Sequence, residues 1–152
     1  MENLKIQPAA YADFPAIAVL IKEFWKFTAY DDPYDHRSAL DALALALSMD
    51  LLFVLVIESE IQGFIAGVRF PLICNSNIQQ VAELGYWINP EHRGRSGLRL
   101  LETLETAAIS QGAKYVNMIS MESSDPAVAE SVYKRRGYTK AETTWIKHLR
   151  NK

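Results

Sequence analysis

Glu83-Leu84-Gly85-Tyr86-Trp87-Ile88, then Asn89-Pro90-Glu91-His92-Arg93-Gly94-Arg95-Ser96-Gly97, then Leu98-Arg99-Leu100-Leu101, is the stretch that decides how this chain is built. The first six residues read as a strand. The last group opens a helical pattern over 98–111 in which Leu98, Leu101, Leu104, Ala108 and Ile109 share a face and Gly112 is the stop. A strand that ends in a glycine-bearing loop and runs into a helix makes an anion site. Glycine lets the backbone bend and come close to a ligand, and the first N–H groups of a helix have no internal acceptor. The helix dipole adds partial positive charge at the same place. Arg93, Arg95 and Arg99 add full charges. A pyrophosphate-bearing ligand suits such a loop; an ordinary solvated turn is the plain alternative.

Outward from this stretch the chain alternates strands and helices. Leu4–Gln7 reads as a first strand, and Asp13 as the cap of a helix that tolerates Pro15 and repeats Ile17, Leu20, Ile21, Phe24 and Thr28 on one face. Asp31-Asp32-Pro33-Tyr34-Asp35 breaks it. A second helix is expected from about Ser38, with Asp41 as capping partner. Leu51–Ile57 is uniformly apolar, as a strand covered on both faces would be. Ile61–Phe70 is its antiparallel partner, ended by Pro71; 72–79 reads as a loop and Val81–Ile88 as a strand. Lys114–Ser120 is a strand, Asp125-Pro126 opens a helix that Gly137 closes, and Tyr138–His148 supplies a last strand or two. The order β-α-α-β-β-β-α-β-α-β gives a mixed sheet with helices on its faces, in a single domain over residues 1–152.

The 152 residues are 49% hydrophobic and 22% charged, with a formal net charge of −2, ordinary values for a soluble globular domain. That balance argues against a nucleic-acid binder, which would carry a basic excess. Positive charge is local, at 93–99 and at Lys134-Arg135-Arg136, which suits a small polyanion. Cys74 is the only cysteine, so no internal disulfide forms and a reducing, cytoplasmic setting is expected, with Cys74 a buried or strand-end thiol rather than a nucleophile. No basic region followed by an apolar run marks a signal peptide, and Leu51–Ile57, the longest apolar run, is too short to span a bilayer. No membrane partner is expected.

Pro90-Glu91-His92-Arg93-Gly94 after a strand, Leu98-Arg99-Leu100-Leu101, and Ala129-Glu130-Ser131-Val132-Tyr133-Lys134-Arg135-Arg136-Gly137-Tyr138 together resemble the Gcn5-related N-acetyltransferase (GNAT) family, most closely its bacterial and phage-borne members. The resemblance covers nearly the whole chain and is specific from about Val81 to Tyr138. It implies an α/β fold with a mixed, mostly antiparallel sheet and helices on both faces. It also implies acetyl-CoA as co-substrate, no metal, and acetyl transfer to a primary amine by direct attack in a ternary complex. The cofactor residues it implies are Trp87, Ile88, Arg93, Gly94, Arg95, Ser96, Gly97 and Leu98. The family loop R/Q-x-x-G-x-G/A, counted from Arg93, places its glycines at Ser96 and Leu98, with Gly97 between them; the family's asparagine seven residues before the tyrosine is Pro126 here.

In the family the strand before the loop splays from its neighbour to receive the pantetheine arm. Gly85 is either the bulge behind such a splay or a packing glycine. The amide of Trp87 or Ile88 would then polarise the thioester carbonyl. Pattern alone reads Tyr133 as a core tyrosine with its hydroxyl at the edge, since Ala129, Val132, Tyr133 and Arg136 share one side of their helix. The family register of Ala129, Tyr133, Gly137 and Tyr138 implies instead the acid that protonates the departing CoA thiolate. An alkylamine is on the order of one part in a thousand neutral at pH 7, so the acceptor must lose a proton. Glu83 resembles the position of a general base, or is a strand-end carboxylate facing solvent; His92 and Glu122 are lesser candidates. His36 and His148 are expected at the surface, with no metal-ligand spacing. In the family the 31–35 region walls the acceptor pocket, where Asp32 would hold a cation and Trp25 and Tyr30 supply an apolar side; a solvated acidic turn is the other reading. Expected partners are a small-molecule or peptide amine, with a homodimer left open. Two rival functions remain: a CoA-binding module without transfer, and acetylation of a macromolecule such as tRNA, against which the acidic balance argues.

Overall fold

The computed structural model describes residues 3–149. Strands β1 (Leu4–Pro8), β2 (Leu52–Ile57), β3 (Glu60–Leu72), β4 (Asn75–Ile88) and β5 (Ala113–Asn117) form one sheet in the order β1-β2-β3-β4-β5. Helices α1 (Phe14–Trp25) and α2 (His36–Ser48) lie between β1 and β2, α3 (Arg95–Ser110) joins β4 to β5, and α4 (Pro126–Arg135) follows β5. The first four strands pair antiparallel. β5 runs parallel to β4, because α3 carries the chain back along the sheet before it re-enters.

The apolar run of β2 is explained by what covers it. Leu52, Val54 and Val56 join Ile17, Leu20, Leu43 and Phe64 in a core under α1 and α2. Phe53, Leu55 and Ile57 point the other way, into a core with Ile65, Val81, Leu100, Leu101 and Leu104 under α3. Both faces are buried, so both sets of alternating side chains are apolar.

Several boundaries differ from the sequence expectation, each for a local reason. α2 begins at His36 rather than about Ser38, and Asp35 caps it without Asp41: the Asp35 Oδ2 accepts from the Ser38 amide at 2.9 Å. Asp13 precedes α1, but its carboxylate turns back to accept from the Ala10 amide at 2.8 Å. The expected 72–79 loop is largely strand, with β4 starting at Asn75 and Pro71 paired opposite Gln79 inside β3. This end of the hairpin projects past the core, so its residues carry no apolar alternation to read. α3 begins at Arg95 rather than Leu98, and β5 stops at Asn117 rather than Ser120. Asp125 precedes α4 in a left-handed conformation (φ 40°) and makes no side-chain cap.

The expected C-terminal strand within Tyr138–His148 does not form. Thr143-Thr144-Trp145-Ile146 has strand-favouring composition, but propensity supplies no ladder partner, and 139–149 stays exposed. Its side chains approach the body at the surface, with Lys140 Nζ 3.8 Å from Glu130 Oε1 and His148 Nδ1 3.5 Å from Asp31 Oδ2.

Candidate active site

Strand β4 loses one neighbour halfway along. Gln79–Ala82 pair with Ala113–Asn117 of β5, and beyond Ala82 the two strands part. On its other edge β4 stays on β3 to Ile88, but the register slips: Gly67 faces Glu83 and Ala66 faces Gly85, leaving Leu84 as an extra residue. This bulge sits where the strands separate, as expected of a device that bends and twists a strand. A Cβ on Gly85 would lie 3.1 Å from Phe64 Cε2 and Cζ, so Gly85 serves both the bulge and the packing.

The register also sorts the backbone groups. The Asn89 amide donates to Gln62 O at 2.9 Å, so alternation turns the polar groups of Trp87 toward Phe64 on β3. Those of Tyr86 and Ile88 face the gap. Of the two amides suggested by sequence, that of Ile88 is therefore the one available to a ligand. Ile88 O is already taken, accepting from Arg93 Nε at 2.8 Å.

At the far end of the gap stands the N-terminus of α3. Gly94 has φ 124° and ψ −127°, a conformation that L side chains rarely adopt. No side chain caps the helix. The Gly97 and Leu98 amides turn inward to Gly94 O at 3.1 and 3.3 Å, leaving those of Arg95 and Ser96 as the outward donors. Gly97 lines the cavity that continues this gap and also has a packing task. A Cβ there would lie 2.8 Å from Ile88 Cδ1 and 3.2 Å from Tyr86 Oη, and Tyr86 Oη donates to Gly97 O. Gly97 thus lets the helix start sit directly on β4. Arg93 is likewise a brace, with its guanidinium 4.5 Å from the centre of the Trp87 ring.

The gap continues as a cavity of about 790 Å³ running from Arg93, Gly94, Arg95, Gly97 and Leu98 to Glu83, Ile119 and Tyr133; Ser96 does not line it. Glu83 is buried, which excludes the solvent-facing reading; its Oε1 accepts from the Ile119 amide at 3.3 Å. Burial pushes its carboxyl up to about 8, and the Ile119 hydrogen bond opposes that shift. Tyr133 Oη donates to Ile119 O at 2.8 Å. Glu83 and Tyr133 therefore hold the two polar groups of one residue, Ile119, at the mouth of the split. Burial, and next the Glu83 carboxyl, raise the Tyr133 phenol above its ordinary value, so it keeps its proton.

Tyr133 is set by the end of α4. The Tyr138 amide donates to Tyr133 O at 2.9 Å and the Gly137 amide to Lys134 O at 3.1 Å, with Gly137 at φ 89°. This is a Schellman stop, and the Tyr133 and Tyr138 rings make its apolar contact at 5.5 Å. The Tyr-x-x-x-Gly-Tyr pattern is thus a helix-ending device that also aims a phenol. Arg136 ties α4 to α3 through Glu102 (2.9 Å) and Glu105. Arg135, which sequence reading left within a basic cluster, lines the cavity together with Tyr86. Only the cluster's charge pointed to Arg135, and the aromatic run of the strand pointed to Tyr86.

The acceptor residues suggested by sequence meet in part. Trp25 and Asp32 line a second cavity of about 390 Å³ against Leu84 and Gly85, and Trp25 Nε1 donates to Asp32 O at 2.7 Å. Tyr30 does not line it but stacks behind Trp25, at 5.8 Å and 12°. Tyr34 lines it and lay unselected within the acidic turn. His92 and Glu122 line neither cavity; His36 contacts Tyr34 (3.2 Å) and Cys74 is exposed in the β3–β4 turn. Among the described residues no group of three or more His, Cys, Asp or Glu is placed to hold a metal ion, and no helix is long and apolar enough to cross a membrane.

The model of the acetyltransferase (GNAT) family matches residues 14–138. Among solved structures, the aminoglycoside N-acetyltransferase AAC(6')-Iy in complex with CoA is similar with a TM-score of 0.79 at 15% identity, covering 99% of this chain and 97% of that one. A predicted acetyltransferase with acetyl-CoA from Clostridium acetobutylicum gives 0.72 at 17% identity, covering 98% and 97%. An aminoglycoside acetyltransferase from an uncultured soil metagenomic sample, in complex with sisomicin, gives 0.70 at 15%, covering 97% of each chain. A search of curated protein sequences returns no match. The split sheet, the uncapped helix start and the family match over most of its length place this chain in the GNAT acetyltransferase family.

Proposed function

We propose that this chain transfers the acetyl group of acetyl-CoA to a primary amine by direct attack in a ternary complex. The observation that carries this reading is the split between β4 and β5, closed at one end by Glu83 and Tyr133 on Ile119 and open at the other onto the α3 N-terminus. The groups present fit such a ligand. The amides of Arg95 and Ser96 and the charges of Arg95 and Arg135 suit a pyrophosphate. The unpaired backbone edge at Tyr86 and Ile88 suits an amide-rich arm, much as a strand would. The thioester supplies an activated acetyl group with a thiolate leaving group.

The Ile88 amide then faces the carbonyl oxygen as charge develops there; one such donor is typically worth about 3 kcal/mol. Glu83 takes the ammonium proton of the incoming amine. A carboxyl at about 8 is a far stronger base than an exposed one, yet is ionised in useful amount near neutral pH. Tyr133 gives its proton to the departing thiolate. The second cavity, on the α1–α2 side of β4, receives the acceptor, a small-molecule or peptide amine.

Calorimetry with CoA, followed by assay of thiol release across an amine panel, tests the reading. CoA binding with release on at least one amine is expected. CoA binding without release from any amine would favour the non-catalytic CoA-binding module, and absence of CoA binding would defeat both.

A further inference from the structure

Resting on the acetyltransferase reading, we propose that the acceptor is a primary amine on one compact, flat apolar body, of the arylalkylamine class, and that the second cavity discriminates against polyhydroxylated polycations. The cavity's place makes it relevant to the chemistry. It lies against Leu84 and Gly85, while Glu83 and Trp87 of the same strand line the acetyl-CoA trough. The two linings share no residue, so an amine held there has to pass the free edge of β4 to meet the reacting carbonyl.

The walls set the class of body. Phe24, Trp25, Leu43, Phe64 and Leu84 surround a space of about 390 Å³, enough for one ring system with a short chain. The Trp25 ring is fixed before any ligand arrives, by its hydrogen bond to Asp32 O (2.7 Å) and its stack on Tyr30. A rigid aromatic wall of this kind favours a flat partner.

The polar groups set the charge. The charged residues lining the cavity are Asp32 and Asp35, both exposed and so at its mouth. Asp35 already accepts from the Ser38 amide at 2.9 Å and from Ser38 Oγ. Tyr34 Oη is likewise occupied, beside His36 Nδ1 at 3.2 Å. The lining can attract one ammonium group but cannot pair many. Hydroxyls and further ammonium groups carried inward would lose water against hydrocarbon without replacement, the strongest form of rejection a pocket has.

The test compares thiol release with 2-phenylethylamine, spermidine and sisomicin at saturating acetyl-CoA. We expect kcat/KM for 2-phenylethylamine to exceed the other two by about 10²-fold. Trp25→Ala should lower that value about tenfold through KM, leaving CoA affinity unchanged, and Trp25→Phe should restore most of it. Should the alanine variant unfold, Ala42→Gln carries the test: it adds an uncharged polar group to the apolar wall from an exposed helix position and should depress 2-phenylethylamine but not spermidine. Equal or better use of sisomicin or spermidine by the wild type would overturn this inference while leaving the acetyltransferase intact. So would a Trp25→Ala loss confined to kcat. Failure to bind CoA at all would defeat the underlying reading, and this inference with it.

Discussion

The two halves of β4 are one strand under two regimes. Through Ala82 it lies between β3 and β5, and Val81 is fully buried. From Glu83 to Ile88 it keeps β3 but has no β5, and its outer polar groups meet a cavity. Unpaired backbone inside a protein is costly, so each free group invites a substitute partner. Arg93 takes Ile88 O, while Glu83 reaches across to the Ile119 amide. The lesson is that structure and function divide along a single strand: changes in the paired half should cost stability, and changes in the split half should cost binding or rate.

The largest contrast is expected at Tyr133. Tyr133→Phe keeps the ring against Tyr138 and removes the hydrogen bond to Ile119 O. Turnover should fall by roughly 10²-fold, while CoA affinity holds and stability drops by about 1 kcal/mol. A paired-half control, Val81→Ala, should cost about 2 kcal/mol in denaturant unfolding and leave the rate per folded molecule unchanged. Full turnover in the phenylalanine variant would remove the acid from the mechanism.

Glu83→Gln should separate activity from stability with opposite signs. In the fold the carboxyl sits at about 8, raised by burial from 4.5. Between those values the unfolded chain has ionised and the folded chain keeps its proton, so stability falls as pH rises from about 4.5 to 8. The loss is on the order of a few kcal/mol by pH 8. Glutamine keeps a carbonyl acceptor for the Ile119 amide and does not titrate. Its melting temperature should therefore exceed the wild type's at pH 8 and match it near pH 4. The rate should drop about tenfold near pH 8, losing the rising limb that ends there and recovering as the amine itself deprotonates. A parallel loss of stability and rate would recast Glu83 as a structural residue.

Most of the fold was legible because its signals are local. The uniform apolar run at 51–57, the caps and stops at Gly112 and Gly137, and the strand-loop-helix order at 83–101 all sit in contiguous residues. Tyr133 and Glu83 were singled out only through the family resemblance, since pattern alone reads Tyr133 as a core tyrosine and leaves Glu83 open; that both side chains meet at Ile119 depends on contacts distant in sequence. What escaped depends on partners distant in sequence. That Trp87's backbone is spent on β3 while that of Ile88 is free follows from register with Phe64 and Gly63. That Gly97 serves packing follows from Tyr86 and Ile88 beneath it. The terminal segment had the composition of a strand but pairs with no edge of the sheet, although β5 leaves one side open, and composition does not show which edges are used.

Packing of the helix start gives the next effect. Gly97→Leu places a side chain where Ile88 Cδ1 and Tyr86 Oη already stand, so α3 must lift from β4. The overpacking should cost about 1–3 kcal/mol and weaken CoA binding severalfold, because the Arg95 and Ser96 amides move with the helix. Retained CoA affinity in a folded variant would place the phosphates elsewhere.

The smallest and finest contrast lies between two neighbouring arginines. Arg93 is engaged within the protein, over the Trp87 ring and on Ile88 O, whereas Arg95 lines the cavity from the first turn of α3. Arg95→Ala should weaken CoA about threefold to tenfold and leave dephosphorylated pantetheine analogues nearly unaffected, the mark of a phosphate contact at an exposed site. Arg93→Ala removes a cation–π contact worth about 0.5–1 kcal/mol and frees Ile88 O. It should therefore lower the melting temperature and weaken CoA and the pantetheine analogue alike, since the edge that receives the arm is disturbed rather than the phosphate end. Calorimetry of both variants against both ligands separates these roles. If Arg93→Ala instead discriminated by phosphate and Arg95→Ala did not, the two assignments would exchange, and the brace at the end of β4 would have to be sought in the Tyr86–Gly97 contact alone.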